Sequence, residues 1–265
     1  MIRLLVGAVA AGAIAGIARH RALLSASGQW TAFALGVLAA AAGLAWAALL
    51  VAFFVAATSL TLWGADEKLR LAERTVPRGR ERNALQVVAN GGVYVLLALL
   101  FTRAGDARWA LGALGALGAA SADTWSTEVG TLLGGAPRSI ATARALPIGM
   151  SGGVTVAGLV AGLGGAAFVG AIGAAFLPLP WAPAAGLATA AGFAGSVGDS
   201  LLGATLQSKR YCDRCNEWTE RRVHPCGYRT RHRAGVYAVT NDVVNLLATV
   251  VGAVIALVLA SYVGV

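Results

Sequence analysis

Long apolar stretches, separated by short polar segments, make up most of the chain. Each stretch approaches or exceeds the roughly 20 residues that an α-helix needs to cross the hydrocarbon core of a bilayer. Gly, Pro and charged residues are common in the segments between them. The pattern therefore predicts an all-α, polytopic transmembrane helix bundle of seven or eight spans. The apolar stretches are residues 1–18, 30–63, 86–101, 107–122, 151–176, 184–207 and 236–262.

The stretch over residues 30–63 decides between seven and eight spans. It contains 34 residues, which is more than one untilted helix needs. We favour two passes, with a turn near Gly43 and a second pass over residues 45–62; one strongly tilted helix is the alternative. Residues 1–18 resemble a signal peptide with small residues near its end, but the polytopic remainder favours a first spanning helix.

The composition supports a membrane protein. Hydrophobic residues make up 57% of the chain and charged residues 12%, and the mean hydropathy is +0.70. In soluble domains about a quarter of the residues are charged, so this composition excludes a soluble domain. The 35 glycines indicate helices that pack closely through small residues, because lipid gives helices no hydrophobic drive to associate. We expect a single integral membrane domain over residues 1–265.

The basic residues are concentrated in the loops between the apolar stretches. The net charge is +9, and with eight passes 18 of the 21 Lys and Arg fall on one side. Positive charge marks the cytoplasmic side, so we expect these loops in the cytoplasm beneath a bacterial-type inner or plasma membrane, and no nucleic acid partner. The loops are residues 19–21, 64–83 with a break at Pro77-Arg78-Gly79, 134–147 and 208–234; Arg3, Arg103 and Arg108 lie on the other side.

Four acidic residues lie inside or at the edge of apolar stretches: Asp123, Glu128, Asp199 and Asp242. Ionisable groups are costly there, so each is a candidate functional residue. The predicted topology brings all four to the cytoplasmic face, with Asp242 about two turns inside its helix. Asp123 and Glu128 are about 140° apart around a helix, so both contribute only if the helix breaks near Ser121 or a ligand lies against a neighbouring helix. The alternative for Asp123 is a helix N-cap.

The segment around Asp199 has small residues on both sides of the acid. Gly195, Asp199 and Gly203 fall on one helical stripe, and Gln207 follows one turn later. Small residues beside a carboxylate allow another helix or a phosphate to approach it closely. The alternative role for Asp199 is a polar hydrogen bond between helices.

Asp242 is accompanied by two amides, because Asn241 and Asn245 share the neighbouring helix face. Carboxylate and amide oxygens suit Mg²⁺ bound together with substrate phosphates, and suit Zn²⁺ poorly. Lys209 and Arg210 are candidates for contacts with phosphate oxygens. Attraction to anionic lipid headgroups is the alternative explanation for this basic loop.

All three cysteines lie within fifteen residues of one another in a basic loop, which does not fit a secreted disulfide framework. Cys212, Cys215, His224 and Cys226 offer four soft ligands. The Cys-x-x-Cys pair is a good zinc half-site, although the second pair is tightly spaced. A structural Zn²⁺ site and reduced structural thiols are the two alternatives.

Six short motifs follow one another along the chain. Together they resemble the integral membrane family that contains plant and cyanobacterial phytyl-phosphate kinase and transmembrane protein 19 of animals, from about residue 28 to the C-terminus. Each motif alone is weak, but the combination is specific. The motifs are Gln86-Val-Val-Ala-Asn-Gly-Gly92, Ala122-Asp-Thr-Trp-Ser-Thr-Glu-Val-Gly130, Ser151-Gly-Gly-Val154, Asp199-Ser-Leu-Leu-Gly-Ala-Thr-Leu-Gln207, Tyr211-Cys-x-x-Cys215 with His224-x-Cys226-Gly227, and Asn241-Asp-Val-Val-Asn245.

The resemblance implies transfer of a phosphoryl group from a nucleoside triphosphate to an isoprenyl (phytyl or geranylgeranyl-type) monophosphate, which gives the diphosphate. Chemistry and topology suggest the roles: two of Asp123, Asp199 and Asp242 would hold Mg²⁺, and Glu128 and Asn241 would complete its shell or orient the acceptor. Helix starts at the Gly-rich motifs would present N–H groups to phosphate oxygens. The predicted substrate-binding residues are Asn90, Gly91, Gly92, Ser151, Gly152, Gly153, Gln207, Lys209, Arg210 and Asn245.

Two other functions share parts of this pattern. A lipid-phosphate nucleotidyltransferase would need a similar metal and phosphate site. A transporter or carrier of a lipid phosphate or a cation would use the same acids, but transporters tend to bind at the membrane midplane between inverted repeats. Here the acids gather towards one face and no repeat is evident. The chain has no Gly-x-x-x-x-Gly-Lys-Ser/Thr loop, which argues against a P-loop enzyme.

Overall fold

The computed structural model describes residues 2–77 and 81–263. Arg78, Gly79 and Arg80, and with them most of the predicted break, lie outside the described residues. The described helices are α1 (Ile2–His20), α2 (Ala26–Ala42), α3 (Leu44–Leu62), α4 (Ala65–Ala72), α5 (Ala84–Ala104), α6 (Ala107–Leu133), α7 (Val156–Phe176), α8 (Trp181–Thr205) and α9 (Asn241–Val263). The described strands are β1 (Arg138–Ser139), β2 (Gly153–Val154), β3 (Lys209–Cys212), β4 (Glu217–Thr219) and β5 (Arg231–Ala234).

The predicted all-α polytopic bundle is confirmed. Among the described residues, five helices are long and apolar enough to cross a membrane: α1, α3, α5, α7 and α9. The helix α2 is apolar but has 17 residues. The helices α6 and α8 are longer, at 27 and 25 residues, and carry Asp123 and Asp199 in the halves that lead towards the basic loops.

Gly43 divides residues 30–63 into two helices, as predicted. It caps both α2 and α3, and its N–H donates to the Ala39 carbonyl oxygen at 3.0 Å. A Cβ at this position would lie 3.2 Å from the Trp46 ring, so glycine lets the indole pack beneath the turn. The first of the two helices begins four residues before the predicted apolar stretch, because Ser25 caps it by accepting from the Gly28 N–H at 3.1 Å.

The helix α6 is central and packs against α5, α7, α8 and α9. Glycines set its distance from two of these neighbours. A Cβ at Gly115 would lie 2.4 Å from the carbonyl oxygen of Gly252 in α9, and one at Gly118 would lie 3.3 Å from the Cα of Gly192 in α8. The helices therefore pack through small residues, as the composition predicted, and this packing fixes where the polar end of α6 lies.

The basic loops gather at one end of the bundle. The Arg82 N–H donates to the Leu23 carbonyl oxygen at 2.9 Å and joins the segment before α5 to the loop after α1. The Glu220 N–H donates to the Thr75 carbonyl oxygen at 2.9 Å. The Ser151 N–H in turn donates to Glu220 Oε1 at 2.8 Å. These bonds connect the four segments that contain the basic loops, between α1 and α2, α4 and α5, α6 and α7, and α8 and α9, as expected if the loops lie on one side of a membrane.

The opposite end holds the short connections that contain few basic residues. Arg3 donates to the Ala41 carbonyl oxygen at 2.9 Å, and Thr102 donates to the Ala42 carbonyl oxygen at 3.2 Å. The start of α1, the α2–α3 turn and the end of α5 therefore meet there. The charge asymmetry of the sequence thus corresponds to a spatial asymmetry of the bundle.

Among the described residues, two small antiparallel sheets lie at the basic end of the bundle, where the sequence predicted loops or, for β2, the start of a helix. The strand β1 pairs with β2 ahead of α7, and a second sheet has the order β4-β3-β5. Each strand has two to four residues. Strands this short show no alternation of polar and apolar residues, so hydrophobic periodicity does not predict them.

Candidate functional site

A cavity of about 690 Å³ lies at the end of the bundle where the basic loops gather. Its walls come from α6, α8 and α9, together with α4, the start of α5 and the segments before α5 and α7. The predicted Gly91, Gly92 and Lys209 do not line it. The predicted site residues that do are Asn90, Asp123, Glu128, Ser151, Gly152, Gly153, Asp199, Gln207, Arg210, Asn241, Asp242 and Asn245.

Asp123, Asp199 and Asp242 reach this cavity from three different helices and are half-buried. With its amide nitrogen facing α8, Asn245 donates to Asp199 Oδ2 at 3.0 Å and to the Asn241 carbonyl oxygen at 3.1 Å. Within residues 2–77 and 81–263, no side chain donates a hydrogen bond to Asp123 or Asp242. Their carboxylate oxygens are therefore free to bind a ligand in the cavity.

Two helix boundaries differ from the predictions and change where the acids lie. The helix α6 continues unbroken to Leu133, so Asp123 neither caps a helix nor follows a break at Ser121. The helix α9 begins at Asn241 rather than at residue 236. Asp242 therefore lies in the first turn of its helix and not two turns inside it, which brings the carboxylate closer to the loops.

Glu128 lies on a different face of α6 from Asp123, because the helix does not break. It accepts a hydrogen bond from Thr61 Oγ1 at 2.6 Å and forms an ion pair with Lys68. The Lys68 ammonium also donates to the Leu60 carbonyl oxygen at 2.6 Å. The predicted acid therefore anchors α4 and the end of α3 against α6, and its carboxylate is already largely satisfied.

Three cavity-lining cations, Lys68, Arg82 and Arg222, were not among the predicted site residues. The Arg82 guanidinium donates to Thr61 Oγ1 at 3.4 Å. Burial lowers the pKa of Arg82, while the charge of Glu128 raises it. The sequence showed Lys68 and Arg82 only as members of one basic loop and Arg222 as a member of another, and the fold of these loops brings them to the site.

Gly91 and Gly92 do not open a helix, so that prediction is wrong. The helix α5 begins two turns earlier at a capping box, in which the Asn83 N–H donates to Gln86 Oε1 at 3.0 Å and the Gln86 N–H donates to Asn83 Oδ1 at 3.1 Å. The N–H groups of both glycines are therefore inside the helix. Gly91 instead lets the Leu35 side chain pack close to α5.

Ser151, Gly152 and Gly153 also precede their helix rather than begin it. The helix α7 starts after Thr155, whose Oγ1 accepts from the Gly158 N–H at 3.0 Å. Gly152 has a φ of +82°, and a Cβ there would lie 2.4 Å from a backbone atom of α8. The segment is thus a tight turn held against the end of α8, and it forms one wall of the cavity.

Glu220 is a cavity residue that sequence reasoning missed. It accepts from the Ser151 N–H at 2.8 Å, and Gln207 Nε2 donates to Ser151 Oγ at 2.7 Å. Burial raises the pKa of Glu220, and the Ser151 hydrogen bond and the charge of Lys209 lower it. The only sequence signal was an acid inside a strongly basic loop.

Lys209 and Arg210, which were predicted to contact phosphate oxygens, form hydrogen bonds with other groups of the protein. Lys209 Nζ donates to the Ala204 carbonyl oxygen at 2.9 Å, and burial lowers its pKa while the charge of Glu220 raises it. Arg210 donates to Thr230 Oγ1 at 2.8 Å and to the Thr230 carbonyl oxygen at 2.7 Å. Arg210 still lines the cavity, whereas Lys209 supports the end of α8.

The Cys and His residues of the 208–234 loop form a second cluster, outside the cavity lining. Cys212, Cys215, His224 and Cys226 each place a ligand atom within 4.8 Å of the others. Cys212 Sγ is 3.7 Å from Cys226 Sγ, and His224 Nδ1 is 3.2 Å from Cys226 Sγ. The hydrogen bond with His224 lowers the pKa of the Cys226 thiol to about 6.

Comparison with known proteins gives one family and several relatives. The chain matches the family described as Integral membrane protein DUF92 over residues 9–253. Protein PGR of Arabidopsis thaliana is 30% identical to it over 93% of this chain and 92% of that protein. An uncharacterized membrane protein of Methanocaldococcus jannaschii is 30% identical over 78% and 73%, and Protein VTE6, chloroplastic, of Arabidopsis thaliana is 27% identical over 91% and 66%. No solved structure matches the chain.

Proposed function

The chain belongs to the DUF92 family of integral membrane proteins, and we propose that it is a Mg²⁺-dependent membrane kinase. Its substrates would be a nucleoside triphosphate and an isoprenyl (phytyl or geranylgeranyl-type) monophosphate. The family is the one that the motif resemblance indicated. The observation that carries the proposal is a polar cavity that is lined both by Asp123, Asp199 and Asp242 and by Lys and Arg side chains of the basic loops.

The proposed phosphoryl transfer needs no general base. An oxygen of the dianionic lipid monophosphate attacks the γ-phosphorus, the bond between that phosphorus and the β–γ bridging oxygen breaks, and the nucleoside diphosphate leaves with the electron pair. No proton is released. Catalysis of such a reaction rests on positioning and on neutralising negative charge, which is what a cavity lined by acids, amides and Lys or Arg side chains offers.

The donor set fits Mg²⁺. Asp123, Asp199 and Asp242 are carboxylates, and Asn241 and Asn245 add amide oxygens or orient the acids. Mg²⁺ prefers such hard oxygen donors and is commonly held by one or two carboxylates plus substrate phosphates. The ion would supply neutralisation of phosphate charge. Two of the three carboxylates suffice for this role, and Glu128 is left as the partner of Lys68.

The positive side chains are placed to meet phosphate oxygens. Arg82, Arg210 and Arg222 line the cavity from the loop segments. Lys68 also lines it, but its three N–H donors already bond to Leu60, Thr61 and Glu128, so it contributes positive charge rather than a hydrogen bond. Cationic groups and charge-assisted hydrogen bonds bind phosphate strongly. The volume of about 690 Å³ lies within the range of about 300–1,000 Å³ that small-molecule sites occupy. The cavity therefore has room for the phosphates of two substrates.

The isoprenoid tail would enter from the membrane side of the cavity. Val154, Gly158 and Leu159 line part of the wall between α6 and α7, and these three residues have no side-chain hydrogen-bonding groups. The headgroup would then lie among the acids at the end of the bundle. Because the basic loops are expected in the cytoplasm, nucleotide would reach this end directly.

Labelled nucleotides test the reaction. Purified protein in detergent, with Mg²⁺ and phytyl or geranylgeranyl monophosphate, should transfer the γ-phosphate label of a nucleoside triphosphate to the lipid and no label from the α-phosphate. Chelation with EDTA should stop turnover, and added Mg²⁺ should restore it. Transfer of the α-label would identify a nucleotidyltransferase instead. No turnover, with counterflow of lipid phosphate in liposomes, would identify a carrier.

Two variants test the site itself. Asp123→Asn and Asp199→Asn should lower turnover by about two orders of magnitude, in the range seen when one charge-stabilising group is removed. Asp106→Asn is the matched control, because Asp106 caps α6 at the other end of the bundle and Asn is an equally good cap. If both cavity variants turned over at the rate of the control, the site assignment would be wrong.

A further inference from the structure

The four Cys and His side chains of the 208–234 loop have the spacing of metal ligands. Their ligand atoms all lie within 4.8 Å of one another, and no other group of three or more His, Cys, Asp or Glu in the described part of the chain is as close. Two sulfurs bound at about 2.3 Å to one tetrahedral ion lie about 3.8 Å apart. Cys212 Sγ and Cys226 Sγ are 3.7 Å apart.

The orientation of His224 provides a second, independent observation. Its side chain is fully buried, and its Nε2 lies 3.2 Å from Glu217 Oε2. Neither atom has a hydrogen bond to any other group that the structure describes. The ring thus turns Nδ1 towards Cys226 Sγ, at 3.2 Å. A histidine that binds a metal through one nitrogen commonly offers the other to a carboxylate in this way.

The tight spacing of the second ligand pair is explained by a turn. The His224 N–H donates to the Tyr228 carbonyl oxygen at 3.0 Å, and the Gly227 N–H donates to the His224 carbonyl oxygen at 2.9 Å. Gly227 has a φ of +80°, which glycine adopts without strain. The turn brings His224 and Cys226 to the same side, facing Cys212 at the end of β3.

We infer that Cys212, Cys215, His224 and Cys226 bind one Zn²⁺ ion in a closed, structural site. Three sulfurs and one imidazole nitrogen suit zinc, and four protein ligands leave no open position for substrate. The eight Lys and Arg of residues 208–234 provide positive surroundings for a centre that has a net negative charge when three thiolates bind the ion. This inference does not depend on the kinase proposal.

The site would stabilise one wall of the cavity. Cys212 ends β3, and β4 pairs with β3 directly after the Cys215 turn. Just beyond β4, Glu220 bonds to Thr75 and to Ser151, which belong to two other loops. Metal bound behind β3 and β4 therefore holds the strand from which Glu220 reaches the cavity.

Metal analysis of the parent protein is the first test. Protein purified without a histidine tag and without chelators should contain one zinc per chain. X-ray absorption should show three sulfurs at about 2.3 Å and one nitrogen at about 2.0 Å. Protein that is folded but metal-free, that contains iron, or whose cysteines form a disulfide would overturn the inference.

Substitutions give the second test. Cys215→Ser should lose most of the zinc, and retention of the full zinc content would contradict the site. Glu217→Gln removes the carboxylate behind His224 but no ligand, so it should fold and bind zinc about 10-fold more weakly in chelator competition. Arg74→Gln is its control, because Arg74 pairs with Glu217 Oε1 at 2.8 Å and leaves the His224 contact intact. If both variants weakened zinc binding equally, the carboxylate would not act through His224.

Discussion

At the scale of single residues, the Lys68–Glu128 ion pair has a clear energetic consequence. The Lys68 side chain is 9% exposed and that of Glu128 18%. Removing one partner of a buried pair leaves the other charge without compensation, which costs on the order of 3 kcal/mol. We expect Glu128→Gln to lower the free energy of unfolding by about this amount, measured by denaturant unfolding in detergent micelles.

Glu67→Gln is the matched control for this prediction. Glu67 also pairs with a cation of α4, Arg70, but both side chains are substantially exposed. Exposed pairs of this kind contribute little, so we expect a change within about 0.5 kcal/mol. If Glu128→Gln cost no more than Glu67→Gln, the pair would not be what holds α4 against α6.

Gly152 is a second residue whose replacement has a predictable effect. Its φ of +82° disfavours any side chain, and a Cβ would lie 2.4 Å from the Cα of Ala204. Gly135 has a φ of +66°, but a Cβ added there would meet nothing within 4 Å. Gly135→Ala should therefore cost about 1 kcal/mol from backbone strain alone, whereas Gly152→Ala should cost more and also reduce lipid phosphorylation. Equal losses of stability and activity in the two variants would contradict this.

Some of the site residues could be predicted from the sequence alone, and others could not. Acids in apolar stretches are rare, so Asp123, Asp199 and Asp242 stand out without a structure. The prediction that Gly91 and Gly92 begin a helix was wrong, because a Gly-rich motif alone does not locate a helix start. The helix starts instead at a cap formed by the side-chain hydrogen bonds of Asn83 and Gln86. Glu220 and Lys68 were not predicted as site residues, because one charged residue in a loop with many charges does not reveal what the loop folds against.

At the scale of elements, the close contact between α6 and α9 requires glycine at Gly115 and at Gly252, whose backbones face each other. A Cβ at Gly115 would lie 2.4 Å from the Gly252 carbonyl oxygen and 2.7 Å from the Ala256 Cβ. Overpacking of this kind costs about 1–3 kcal/mol. We expect Gly115→Ala to lower the unfolding free energy by that amount. We also expect it to weaken activity, because the added methyl group would push α6 and α9 apart and so separate Asp123 from Asp242.

Gly186→Ala is the control within the bundle. Gly186 lies in α8 and a Cβ there would meet nothing within 4 Å. Alanine is a better helix former than glycine by about 0.5–1 kcal/mol, so this variant should keep or gain stability in the same unfolding assay. A loss of stability in Gly186→Ala comparable to that in Gly115→Ala would mean that helix spacing is not the cause.

The elements that could be predicted from the sequence are longer than those that could not. Helices of 17 residues or more leave an apolar stretch, and Gly43 marked the division between two of them. The strands have two to four residues, and their order depends on hydrogen bonds between separate segments of the loops. The sequence indicates a zinc candidate in the loop that carries Cys212, but only the folded loop, with its turn at Gly227, shows that the tightly spaced second pair can meet the first.

At the scale of the whole molecule, charge divides the protein into two ends. The four basic loops are joined to one another by hydrogen bonds, and the short connections meet at the opposite end. Lys and Arg in short loops favour the cytoplasmic side of a membrane. The cavity with its three aspartates lies at the basic end, so orientation in the membrane decides whether nucleotide can reach it.

Cysteine labelling tests this orientation. Arg103→Cys places a thiol on an exposed site at the end with few basic residues, and Arg144→Cys places one on an exposed site in a basic loop. With the protein in the inner membrane of bacterial spheroplasts, a membrane-impermeant maleimide should label Arg103→Cys at once. It should label Arg144→Cys only after the membrane is permeabilised. The parent chain gives the background, because its three cysteines all lie at the basic end. Labelling in the reverse order would place the cavity outside the cell, where nucleoside triphosphates are scarce, and a kinase at this site would then lack its phosphoryl donor.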